Sequence, residues 1–195
     1  MGAPQREAKY RQLTADPDAP ERAPAPGELG LVQDFLRTNS YLDEPEKMRW
    51  WLQEQGLLDE PAGSADVSAL VELRAALGSL LLANHDGSQP DTEATHALNR
   101  LAGEAPLVVR FGDSQNAELM SHRAGSGAAV ASLLAIVYNS IAEGTWERMK
   151  ICRNDECGWA FYDRSRNRSG AWCSMSDCGN LAKARAFRQR RRLKA

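Results

Sequence analysis

The sequence predicts a mainly α protein with a small β element, an α+β chain in which a helical N-terminal domain precedes a small finger built on cysteines. Three observations carry that expectation. Apolar residues recur at helical spacing through most of the first 143 positions, interrupted by one pair of β-like runs. All four cysteines fall between Cys152 and Cys178, with none in the larger part of the chain. The charge also changes sign near Lys150. Residues 1–150 carry 13 Lys and Arg against 22 Asp and Glu, a balance of −9, whereas residues 151–195 carry 11 against 4, a balance of +7. An acidic body joined to a basic tail suggests a polyanion as partner of the tail.

The elements follow in order. Residues 1–26 hold five of the nine prolines and no apolar period, and are read as a flexible arm. The helical domain is expected over 27–148. Its first helix starts near Glu28 and places Leu29, Val32, Phe35 and Leu36 on one side. A second begins at Pro45, which a first helical turn tolerates, and stops at Gly56. A third, capped by Ser64 or Asp66, carries the stripe Leu70, Leu73, Leu77, Leu80 and Leu81. A fourth runs from about Asp91 through Ala94, Ala97, Leu98 and Leu101. PLVVRFG and AELMSHR then read as a hairpin. A fifth helix, about Ser126 to Glu143, is apolar on most sides and belongs at the centre of a core.

The third unit, 149–195, contains two cysteine pairs, Cys152/Cys157 and Cys173/Cys178. Thiolates suit Zn²⁺, which is borderline soft and takes four ligands in a tetrahedron. The chain has no apolar run of the roughly 18 residues that a membrane span needs, and its start has no apolar signal core. A reducing, cytoplasmic setting is therefore expected, in which clustered thiols favour one structural metal ion over disulfides. GWAFYD and GAWCS, on either side of RSRNRS, are expected to pair as a hairpin. A basic helix capped by Ser176 or Asp177 should follow. Loop, hairpin and helix in that order give a treble-clef-like finger.

Basic residues crowd this unit. Arg164, Arg166 and Arg168 lie on the turn; Lys183, Arg185, Arg188, Arg190, Arg191, Arg192 and Lys194 lie on the final helix. Arg185, Arg188 and Arg192 share a helical face that suits the major groove, with turn arginines on phosphates. Leu181, Ala184 and Phe187 are expected to pack on the finger. DNA is the expected partner, and RNA or a protein partner stays open, because Trp159, Phe161, Tyr162 and Trp172 could stack bases.

CGWAFYDRSRNRSGAWCSMSDCGN resembles the CGNR zinc finger, named for a Cys-Gly-Asn-Arg signature that here reads Cys178-Gly179-Asn180-Leu181. APGELGLVQDFLRTN, PEKMRWWLQEQGLL, ELRAALGSLLLA and HALNRLA resemble, in the same order, the ABATE domain found ahead of that finger. The resemblance covers about residues 23–195. It implies a stress-induced transcription regulator whose finger binds DNA. The family commonly has Phe-Val-Asn-Thr where this chain has Phe35-Leu36-Arg37-Thr38, so Arg37 changes any ligand contact made there.

In the body, Arg74 sits at the edge of an apolar stripe, where a guanidinium pairs with a carboxylate such as Asp34 or Glu72, or meets an anionic effector. Trp50 and Trp51 point different ways, and one is expected at the surface. A homodimer and a small-molecule effector are left open. His85, His96 and His122 show no ligand spacing. The chain holds no Ser/His/Asp order of a known kind, no P-loop, no GxGxxG after a strand and no HExxH, so an enzyme in the body is the weaker reading.

Overall fold

The computed structural model describes residues 24–37, 44–58, 67–85, 87–113, 116–154 and 156–193. Residues 1–23 of the expected arm, Thr38, the cap candidates Ser64 and Asp66, and Lys194 lie outside the described residues.

Among the described residues, five helices and one hairpin make the body. Helix α1 (Leu29–Arg37) buries Leu29, Val32, Phe35 and Leu36 as its apolar period requires. It also buries Gln33, whose Oε1 accepts the Ala25 N–H at 2.6 Å. Ala25 is itself buried, so the residues just before α1 are packed. Helix α2 (Pro45–Glu54) has Pro at its first position. It ends in a Schellman motif: Leu57 N–H donates to Leu52 O, Gly56 N–H to Gln53 O, and Gly56 takes φ +68°. Helix α3 (Ser68–Ala83) buries Leu70, Leu73, Leu77 and Leu81, all at 0% exposure. Val67 precedes it without a side-chain cap.

Helix α4 (Thr92–Glu104) packs on α3 through Ala94 and Leu101. Strands β1 (Leu107–Phe111) and β2 (Ala117–Ser121) pair antiparallel with Val109 opposite Leu119. Helix α5 (Ser126–Ala142) is the central one, buried on several sides and packed on α1, α3, α4 and β2. Trp51, rather than Trp50, is fully buried; Trp50 is half-buried against the same core.

A 3₁₀ turn (Trp146–Arg148) leads without a break into β3 (Met149–Ile151). One correction to the sequence reading arises here. The partner of β4 (Ala160–Tyr162) is β3, in the register Met149↔Tyr162 and Ile151↔Ala160, not GAWCS. The reason lies in Asp163, whose carboxylate collects the N–H groups of Ser165 and Gly170, at 3.0 and 2.7 Å. Those bonds shape residues 163–170 into a closed loop rather than a tight turn between strands. Ala171 keeps one sheet-like bond, accepting Arg153 N–H at 3.0 Å. The chain ends in a π-helical turn (Met175–Gly179) and helix α6 (Asn180–Arg192).

Met149, Ala160, Tyr162 and Trp146 belong to the same buried cluster as the leucines of α3. Strand β4 packs on α1 and β3 on α3.

Candidate metal centre and nucleic-acid interface

Two short loops present the four sulfurs. After β3 the Cys152 N–H donates to Trp159 O at 2.9 Å, and Cys157 N–H donates to Asn154 O at 2.8 Å. Gly158, at φ +57°, turns the chain back toward β4. In the second loop Ser174 is the cap, in place of the expected Ser176 or Asp177. Its Oγ accepts Asp177 N–H at 3.3 Å and its carbonyl accepts Gly179 N–H at 2.9 Å. Gly179 is buried where a Cβ would lie 3.0 Å from the Met175 sulfur.

The Sγ atoms of Cys152, Cys157, Cys173 and Cys178 all lie within 4.8 Å of one another. Cys157 and Cys173 are 3.6 Å apart, and Cys173 and Cys178 are 3.8 Å apart. Those separations are far beyond an S–S bond of about 2.05 Å. They match the edge, roughly 3.8 Å, of a tetrahedron with metal–sulfur bonds of about 2.3 Å. The four cysteines can therefore hold a metal ion.

The thiols themselves favour a cation. A hydrogen bond from Cys173 holds Cys152 down to about 5, against its burial. Burial pushes Cys157 up to about 11. The bond to Cys152, with burial, drives Cys173 further up. One thiolate is stabilised and its neighbours then resist ionising, a conflict that a divalent cation removes. Outside the sulfurs, the buried Asn154 donates from Nδ2 to Cys178 Sγ at 3.5 Å. Its Oδ1 accepts from Arg185 at 3.2 Å, and Arg185 also binds Glu156 at 2.8 Å. A sulfur of the four-cysteine cluster is thus joined through one amide to the basic helix.

On β3, two residues before Cys152, begins a buried ion pair. Lys150 Nζ lies 3.0 Å from Asp163 Oδ2, with both side chains 1% exposed. Lys150 also donates to the carbonyls of Arg168 and Gly170. Arg148 donates to Asp163 O and Ser165 O, each at 2.9 Å. Burial alone would raise the Asp163 carboxyl, but hydrogen bonds from Ser165, Lys150 and Gly170 outweigh it and hold the group at about 2. Gly170 is required, since a Cβ there would fall 2.6 Å from the Asp163 carboxylate. Arg168, at φ +51°, closes the loop.

The expected basic residues divide into two sets. Arg164 lies over the Tyr162 ring and donates to Pro24 O at 2.6 Å. Arg168 pairs with Glu147, and Arg185 is held as above. Arg166, Lys183, Arg188, Arg190, Arg191 and Arg192 are exposed and have no side-chain partner among the described residues. Of the face expected from Arg185, Arg188 and Arg192, Arg185 is hydrogen-bonded to Asn154 and Glu156 while still half exposed, and the other two are without a side-chain partner among the described residues. Leu181 and Phe187 do not pack inward. They are 48% and 54% exposed, and α6 buries no residue at all.

The aromatic residues separate as well. Phe161 is fully buried and Tyr162 nearly so, while Arg37 covers Trp159 at 5.5 Å. Trp172 is half-buried and lines a cavity of about 510 Å³ beside the arginine loop. In the body, Arg37 donates to Ala160 O at 3.0 Å and pairs with Asp34, so it joins α1 to the finger. Arg74 is partly buried on α3 and is engaged in an interaction of its own; Asp34 also pairs with Arg37, and Glu72 with Arg100. Sequence reasoning missed Lys150, Asp163, Asn154 and His85, whose Nε2 donates to Ile151 O at 2.5 Å. Only Asp163, set before a turn of small polar residues, carried any signal.

Two family profiles match the chain. Residues 148–191 match the CGNR zinc finger. Residues 29–144 match the ABATE family, described as "Putative stress-induced transcription regulator". No curated protein matches. With the ABATE match covering more than half the chain and the finger following it around the four-sulfur cluster, the protein belongs to the family of ABATE-domain proteins that end in a CGNR zinc finger.

Proposed function

We propose that the protein is a zinc-dependent, DNA-binding transcription regulator. The finger, 149–195, contacts DNA, and the body, 27–148, acts as sensor or dimerisation module. Zinc suits the four-thiolate set better than harder cations that prefer oxygen. It would fix the loops that carry the arginines and leave no open position for catalysis.

The observation that carries this reading is the set of six unpartnered cations, Arg166 on the loop and five on α6. On an isolated solvated helix these charges repel one another. Phosphates relieve that repulsion and release condensed counterions. If about five of the six touch backbone, the slope of log affinity against log salt is about −4 to −5, from roughly −0.9 per phosphate. Alanine at Arg166 or Arg190 should each flatten it by about one unit. The protein is titrated with duplex DNA at several salt concentrations, with structured RNA as competitor. Salt-independent binding, or none, would remove the proposal, and preference for RNA at matched salt would replace DNA with RNA.

A further inference from the structure

We propose a second nucleic-acid subsite on the finger: the cavity beside the 163–170 loop takes one unstacked base, while the loop grips the adjoining phosphate. The proposal rests on the polyanion reading above and adds to it what part of the polyanion enters the protein.

The cavity has about 510 Å³, within the range of small-molecule sites. Trp172 and Met175 form its apolar wall, and Arg164, Ser165 and Ser169 bring polar groups to it. Of the aromatics around the 163–170 loop and the cysteine loops, Trp159, Phe161, Tyr162 and Trp172, Trp172 is neither sunk in the core nor covered by an arginine in the described structure. The exposed Phe187 lies away on α6 and does not line the cavity. Met175 is 49% exposed beside it. An indole face with a flexible thioether suits a flat, polarisable ring. Arg164 lines the cavity, and Arg166, on the same 163–170 loop though not in the lining, is exposed with no side-chain partner among the described residues. A neutral apolar ligand would find no reason for them, whereas a nucleotide unit uses both walls.

The loop is also built to keep its shape. A buried ion pair is weak evidence for stability, because desolvation offsets the attraction. Here Lys150 and Asp163 spend their remaining hydrogen bonds on the loop backbone, at Ser165, Arg168 and Gly170. A loop fixed in this way needs no reordering when it meets a phosphate.

The test separates base from phosphate. The zinc-loaded full chain is titrated with a short single-stranded oligonucleotide, with the same strand made abasic at every position, and with heparin as a base-free polyanion. The intact strand should bind about 5- to 150-fold more tightly than the abasic one, the range for one stacked base. Trp172→Leu should abolish that difference and leave heparin affinity unchanged, while Trp172→Tyr should restore most of it. Met175→Ala, at an exposed position, should narrow it without touching the metal. Zinc content and far-UV circular dichroism identify any variant that has not folded, and the Met175 variant then decides. Equal affinity of intact and abasic strands, or parallel losses for heparin and DNA in Trp172→Leu, would overturn the subsite and leave the polyanion reading in place. Failure of the wild type to bind any of the three probes would overturn both.

Discussion

At the scale of single residues, Leu181 occupies the place where the family signature has arginine, and it stands 48% exposed on the first turn of α6. Leu181→Arg should therefore add a phosphate contact without disturbing packing. Salt titration is expected to steepen by about 0.9 units, with the unfolding free energy within about 0.5 kcal/mol of wild type. Asp163 makes the opposite kind of prediction. Its folded-state carboxyl lies at about 2, below the ordinary value of 3.8, so its contribution is present above about pH 4 and fades as pH falls toward 2. Asp163→Asn should destabilise by on the order of 2–3 kcal/mol at neutral pH, and the gap should close in acid. Chemical denaturation of wild type and variant at each pH reads that gap as a difference, which cancels proton competition for the cysteines. A gap constant from pH 7 to pH 2 would contradict the assignment. The clustering of the four cysteines was legible from spacing alone, because metal chemistry constrains residue type. Lys150 was not, since a lysine in a three-residue strand reads as solvated until its acceptors are found.

At the scale of elements, α6 is unusual in burying nothing, with Phe187 and Leu193 54% and 82% exposed. It packs chiefly on the preceding π-helical turn, and Arg185 anchors it to Asn154 and Glu156. An isolated 13-residue helix is marginal in water, more so with crowded positive charge. Amide hydrogen exchange should show protection near Arg185 and little from Phe187 onward. Bound DNA should extend protection toward Arg192. Strong protection there in the free protein would mean the helix has a partner within the chain. The helices of the body were legible almost to their ends, because their leucines keep one period and glycine marks a stop. The hairpin of the finger was assigned to the wrong strand. Three residues, Met149–Ile151, carry too little pattern to be seen, and the Asp163 loop mimics the turn of a neighbouring pair.

At the scale of the whole molecule, finger and body share their interior. Met149, Ala160 and Tyr162 lie in the cluster formed by α1, α3 and α5. His85 bonds to Ile151, and Asn84 donates to Trp146 O and Met149 O at 3.0 and 2.9 Å. Stripping the metal should therefore weaken the body as well as the finger. Losing the burial of these side chains corresponds to several kcal/mol, or a fall in Tm on the order of 10 °C for a chain of this size. Calorimetry should show one transition with metal bound. Two independent transitions, with the body's unchanged by chelation, would show that the shared interior contributes nothing. The charge division at Lys150 was plain in the sequence and suggested a joint there. Contacts between distant segments cannot be read from local pattern, and the joint turns out to be packed.

Arg37 gives that shared interior a direction. One guanidinium on α1 reaches the backbone of β4 and covers Trp159, two residues beyond Cys157 of the sulfur cluster. The path from α1 to a sulfur is thus short and continuous, like the linkage of a key to its hammer. Anything that rotates α1 by a fraction of a turn would pull on β4 and on the loop that holds the first pair of thiolates. The strain would then reach, mechanically and through packed contacts, the basic surface proposed to meet DNA.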